Sequence, residues 1–298
     1  MYFSAINQDT ESQTTMKHKI YTLLILLSAT LLVASCGRGA KAGGHNNKPA
    51  VTIKTQRLSD KSAFTMSNGE RCTIVADATI DYPAATGDGL AVDSLQRLFA
   101  SYVLESGDTL SLTEAMRQVV ANSMHQYDFM TEPMSADEAA EAAESESSTL
   151  RYATSTRITP IYNNNGVVTF ERVDVVKKND KVTSITHRYY SFDVESQTYV
   201  DVNRLFRDDA VGDVCQLLKQ QLLKQNNAEG NEQLNDLGYF NVENITVTSN
   251  FYFDDKGVTW SYLPNELAVE AVGEPKITIP YADLKSALCD DSVIEKVR

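Results

Sequence analysis

Three strand-length runs separated by two short turns constrain this chain more than any other feature. Arg151–Tyr162, Val167–Val176 and Lys181–Asp193 are rich in Val, Ile, Thr and aromatic residues. Between them, Asn163-Asn-Asn-Gly166 and Lys177-Lys-Asn-Asp180 supply the residue types that tolerate the left-handed backbone of tight turns. Connections this short join only neighbours that run in opposite directions, so the middle of the chain predicts an antiparallel meander.

Upstream, Val51-Thr-Ile-Lys-Thr55 and the run from Cys72 to Tyr82 also read as strands. In the second, Ile74, Ala76, Ala78 and Ile80 alternate with Thr73, Val75, Asp77 and Thr79, and Tyr82-Pro83 is expected to end it. Two helices follow. Ala91, Leu95, Leu98, Phe99 and Tyr102 fit one face of a helix over 90–104. Ser111-Leu-Thr-Glu114 is a capping box that opens a second helix with Ala115, Met116, Val119 and Val120 inward. Ser135-Ala-Asp-Glu138 opens an acidic stretch with almost no apolar face, expected to be exposed.

Beyond the meander, Asp201 is placed to cap a short helix through Phe206, and Val211, Val214, Cys215, Leu218 and Leu222 form one stripe over 210–225. Ile245–Phe253 and Val258–Tyr262 predict a hairpin around Asp254-Asp-Lys-Gly257; Lys276–Ile279 predicts a last strand and Tyr281–Leu288 a closing helix. Strands, helices and strands without strict alternation define an α+β fold, antiparallel sheets packed with amphipathic helices.

Ahead of this fold stands Met16 to Cys36. Lys17 and Lys19 form a positive region, Tyr21–Leu32 an apolar core too short to span a bilayer stably, and Val33-Ala34-Ser35-Cys36 a lipobox. Small residues at Ala34 and Ser35 admit a signal peptidase, and the Cys36 thiol takes the diacylglyceryl group. The reading is therefore a signal peptide over 16–36 with translation starting at Met16, a palmitate-type lipid anchor through Cys36, and a flexible Gly-, Ala- and Asn-rich tether over 37–50 that includes His45. Such a chain is expected in the bacterial cell envelope, membrane-anchored and facing the periplasm.

The net charge of −13 argues against nucleic-acid or anionic-membrane partners. Cys72, Cys215 and Cys289 make no CxxC motif and read best as small apolar core residues, with one disulfide and a free thiol as the alternative. No HExxH pair, GxSxG elbow, phosphate-binding loop or dinucleotide fingerprint occurs, so no catalytic residue, metal ligand or cofactor is assigned. Asp254-Asp255 and Asp290-Asp291 read as turn and cap residues, because neighbours on a turn point apart and not across a cleft. His125 suits a helix C-terminus, and His187, mid-strand, a hydrogen-bonded structural role.

The C-terminal half resembles the extracellular domain shared by RsiV-type anti-sigma factors, which bind lysozyme, and PdaC-type peptidoglycan deacetylases. The likeness is carried by Tyr189-Tyr-Ser-Phe-Asp193 leading to Asp201-Val-Asn-Arg-Leu-Phe206, then by Asn250–Gly257, Pro264-Asn-Glu-Leu-Ala268, Gly273 and Ile279-Pro-Tyr-Ala-Asp-Leu284. It covers residues 167–288, with 51–166 similar to the region that precedes the module, and implies an N-terminal region over 51–166 and a module over 167–298. Where the family has Gly-Gly-Ala-His, this chain has Ser184-Ile-Thr-His187, and the aromatic after the family's proline is Asn265. Neither known activity transfers by resemblance, since no cytoplasmic segment is expected to remain after cleavage and no metal-binding catalytic domain is expected.

The expectation is a non-enzymatic binding lipoprotein. Its partner is a cationic, lysozyme-like protein; peptidoglycan or another glycan is the alternative, and hydrolysis at an unrecognised site the third reading. Candidate binding residues are His187, Tyr189, Tyr190, Tyr252, Trp260 and Tyr262, although a two-sided strand buries about half its side chains and Trp260 suits the core.

Overall fold

A computed structural model describes residues 49–66, 70–107, 110–130 and 149–298. The signal segment, His45 and the acidic stretch after Ser135 lie outside the described residues. The fold is α+β, as expected.

Six strands form one sheet in chain order: β1 (Val51–Thr65), β2 (Arg71–Thr86), β3 (Thr149–Asn164), β4 (Val167–Lys178), β5 (Lys181–Asp193) and β6 (Thr198–Tyr199). The meander β3–β4–β5 is antiparallel, and Asn165, Asn179 and Asp180 take positive φ in its two turns. Only β2 and β3 run parallel, joined by the crossover that contains α1 (Asp93–Leu98) and α2 (Leu112–His125). On β2 the expected face, Cys72, Ile74, Ala76, Ala78 and Ile80, is buried. Its larger part packs beneath α1 and α2.

Ser111 caps α2 through the Glu114 backbone while the Glu114 carboxylate accepts from the Ser111 N–H, and Ala115, Met116, Val119 and Val120 point inward. Around α1 the buried stripe differs from the periodic reading. The helix opens at Asp93, which leaves Ala91 outside it and exposed, and Phe99–Val103 is a π-helical turn that shifts the face, so Val92, Leu95, Phe99, Ala100 and Val103 are buried. Tyr102 instead stacks on Tyr199 of β6, ring centres 4.2 Å apart.

Two strands differ in length from expectation. Strand β1 continues to Thr65 although its second half alternates poorly, because β2 pairs with it throughout. Strand β2 runs past Pro83, which sits at a bulge opposite Ile53, beyond the last residue paired with β3, so its missing N–H leaves no central ladder position empty.

The C-terminal layer holds α3 (Val211–Gln225), α4 (Asn231–Asp236), a three-stranded antiparallel sheet of β7 (Phe251–Phe253), β8 (Gly257–Ser261) and β9 (Lys276–Pro280), then α5 (Tyr281–Leu284) and α6 (Ile294–Val297). Val214, Leu218 and Leu222 of α3 are buried in its core with Trp260, Phe251 and Phe253. Cys215 is half-buried, off the stripe's centre. Gly257 is required where β8 meets β9: a Cβ there would stand 2.0 Å from the Ile279 carbonyl oxygen. The strand expected from Ile245 begins only at Phe251. Residues 245–250 are irregular chain, and Asn250 spends its side chain on the neighbouring sheet.

The described residues fall in one compact unit with two main apolar cores. One core draws on residues from Val51 to Val194; the other takes Val167 and residues from Val200 to Val297. The cores therefore change over near residue 200, whereas the division expected at 166/167 falls inside the β3–β4 hairpin, where Asn164 pairs with Val167.

Candidate functional site

Alternation along β5 sends Tyr190 and Phe192 toward the N-terminal core and His187 and Tyr189 toward the C-terminal layer. Glu171 on β4 stands opposite Tyr189 in the ladder, and β7 and β9 bring Tyr252 and Lys276 to the same place. The Tyr189 and Tyr252 rings lie 4.6 Å apart. Lys276 Nζ sits 5.3 Å from the first ring centre and 5.9 Å from the second, and donates to Tyr189 Oη at 2.8 Å. Tyr189 in turn donates to Glu171 Oε1 at 3.0 Å.

Beside this chain of bonds, Glu274 accepts from the His187 backbone N–H at 2.9 Å and from its ring Nδ1–H at 2.7 Å. Asn250 accepts from the Tyr189 N–H at 2.8 Å and donates to the carbonyls of His187 and Ser261. These contacts have one cause. Strand β6 pairs only with Phe192 and Asp193, so the backbone of β5 at 187–189 faces outward with no strand beside it, and Glu274 and Asn250 occupy the missing positions.

Burial, then the Glu171 charge and its hydrogen bond, push the Tyr189 phenol far above its ordinary range, and burial raises that of Tyr252. Both phenols stay neutral at physiological pH. Among the described residues no group of three or more His, Cys, Asp or Glu side chains is placed to hold a metal ion.

Of the six candidate aromatic and histidine residues, Tyr189 and Tyr252 meet ring to ring, and His187 shares Asn250 with Tyr189. Tyr190 is on the opposite face of the sheet, where burial and then Glu105 push its phenol up to about 12. Trp260 is 0% exposed, its ring centre 6.1 Å from that of Phe206, and Tyr262 is buried with its hydroxyl donating to the Thr246 carbonyl at 2.8 Å. Neither is presented to a partner: both lie on the face of the small sheet that packs the C-terminal core. The sequence reading missed Glu171, Asn250, Glu274 and Lys276. Cross-strand register could have supplied Glu171; the other three arrive only through docking of the C-terminal layer.

Remaining candidates take structural places. Asp254 Oδ1 accepts from the N–H groups of Lys256 and Gly257 and closes its turn, and His125 ends α2 beside Asp128 at 2.8 Å. Cys72 is buried, Cys215 and Cys289 are half-buried, and all three are free thiols.

Charge is distributed unevenly. From Gln225 to Pro275 the chain has nine carboxylates, and Lys256 is its sole Lys or Arg. Most of these acids, including Glu229, Glu232, Asp236, Glu243, Glu266 and Glu270, are exposed.

Residues 203–282 match a family described as a protein of unknown function, DUF3298. Among solved structures the chain is similar to a DUF3298 family member from Bacteroides fragilis NCTC 9343, at 17% identity and a TM-score of 0.65 over 84% of this chain and 99% of that one. It is also similar to a DUF3298 family protein from Pseudomonas aeruginosa PAO1, at 13% identity and a TM-score of 0.51 over 81% of this chain and 97% of that one. No curated protein matches it. Residues 203–282 thus match DUF3298 in sequence, and most of the chain has the fold of solved members of that family.

Proposed function

We propose that the chain is a non-enzymatic lipoprotein of the bacterial cell envelope, anchored through Cys36 and facing the periplasm, whose folded part captures a cationic, lysozyme-like protein. The observation that carries this reading is the stretch from Gln225 to Pro275, whose nine carboxylates face a single basic residue. A surface of one sign raises the local concentration of partners of the other and speeds their encounter. The likeness to RsiV-type lysozyme-binding domains supplies the partner class, and the polar network around Tyr189, whose groups are engaged with one another, supports binding over catalysis.

The test is association of a c-type lysozyme with the detergent-solubilised full chain at several ionic strengths. Association is expected to slow steeply as salt rises, with dissociation changing far less. Absence of binding at low salt would sink the reading. Peptidoglycan recognition is the second reading. It is favoured by half-buried Tyr252, which offers a ring beside Lys276, and it predicts binding to glycan that salt barely alters.

A further inference from the structure

Leu237, Phe240 and Val269 are 50%, 37% and 44% exposed, high for large apolar side chains, and they lie together. Gly238–Phe240 runs antiparallel to Leu267–Val269. The Val269 N–H donates to the Gly238 carbonyl at 2.9 Å, the Phe240 N–H to the Leu267 carbonyl at 3.0 Å, and Tyr239 stands opposite Ala268. Tyr239, Leu267 and Ala268 pack toward the core, while Phe240 and Val269 stay on the outer side. Gly238 makes the close approach possible: at φ 92° a Cβ would stand 2.9 Å from Val269 Cγ2 and 3.1 Å from Val272 Cγ2. Leu237 precedes it directly.

Exposed carboxylates border this patch. Asp236 adjoins Leu237, Glu270 adjoins Val269, and Glu243 and Glu266 lie within three residues of Phe240 and Val269. Among the described residues none of the four takes part in an ion pair; Glu243 accepts a hydrogen bond from Asn231 and Glu266 one from the Leu263 N–H.

The geometry points to the patch of Leu237, Phe240 and Val269, with its rim of Asp236, Glu243, Glu266 and Glu270, as the docking surface for a basic protein. This rests on the cationic-partner reading and adds the place where the partner seats. Burial of the apolar centre holds the complex, and the carboxylates attract and orient a partner whose Lys and Arg side chains surround an apolar contact. Charge selects this occupant over others. A second copy meeting the patch about a two-fold axis would set carboxylate against carboxylate, and an anionic lipid surface would be repelled.

The experiment compares the detergent-solubilised full chain with Phe240→Ser, Leu237→Ser, the pair Asp236→Asn/Glu270→Gln, and a control pair Asp208→Asn/Asp209→Asn, which removes the same charge from exposed residues elsewhere. Against c-type lysozyme, the Phe240 and Leu237 variants should weaken Kd by about tenfold or more, mainly through faster dissociation. The Asp236/Glu270 pair should slow association several-fold, and the control pair should change it much less. Amide exchange of the wild-type complex, which needs no substitution, should show protection at 237–240 and 267–270. If the wild type binds but the patch variants match it and protection falls elsewhere, the docking surface is wrong while the cationic-partner reading stands. If the wild type does not bind, both fall.

Discussion

Asp193 shows how single residues hold the two layers together. Its carboxylate ends β5 with 2% of the side chain exposed, and Lys296 of α6 reaches its two oxygens at 3.1 and 3.0 Å. Arg204 lies 3.4 Å away, and the N–H groups of Glu195 and Ser196 also donate to it. Burial alone would raise its pKa, but the hydrogen bonds and charge of Lys296, with the bonds from Ser196, hold it below the ordinary 3.8. A carboxyl depressed in the folded state contributes stability that is complete above its unfolded pKa and is lost as pH falls through the folded value. Lys296→Met should therefore cost roughly 2–4 kcal/mol in urea unfolding near neutral pH. The gap from wild type should narrow as pH falls through the depressed folded value, where Asp193 becomes protonated in both. Neighbouring residues also show what the sequence could not tell. The alternation puts Tyr189 and Tyr190 on opposite faces, but which face meets a second layer depends on where α3 and β7–β9 dock. Trp260, equally compatible with core or surface by type, is settled by Phe206 and Phe251 packing against it.

At the scale of elements, β5 behaves as an edge strand over much of its length, and side chains stand in for the strand that β6 is too short to supply. Asn250→Ala would leave the Tyr189 N–H without its acceptor and remove donors to the His187 and Ser261 carbonyls. The expected cost is about 2–3 kcal/mol, read by chemical denaturation, together with faster amide exchange at Tyr189. No change in that amide would show that the edge is protected by something else. The meander, the α2 capping box and the α3 stripe were legible because each carries its own local signal: turn residues, a cap, a periodic face. The second half of β1 carries none. Arg57, Ser59, Lys61 and Ala63 are exposed on one side, Asp60 and Ser62 on the other, and the strand exists because β2 offers it a ladder. The π-helical turn after α1 was likewise invisible to a search at 3.6 residues per turn.

For the whole molecule, the lipobox reading makes Cys36 the attachment point. Cys36→Ala is expected to abolish incorporation of a fatty-acid analogue and to release the protein from membranes or stall its processing. A variant that still takes up label and sediments with membranes would disprove it. The α+β architecture was legible from the order of elements, whereas the changeover between cores near residue 200 was not, since Val167 belongs to one core and its neighbour Val168 to the other. One property of the large sheet bears on how the molecule comes into being. Because β2 and β3 run in the same direction, the sheet cannot be assembled by zipping from one hairpin to the next. The ends of residues 87–148 must first be brought together at an entropic cost, before the central ladder returns any stabilisation. The β1–β2 and β3–β4–β5 blocks are thus the units that can form quickly on their own, and their side-by-side meeting is the slow event on which the native sheet waits.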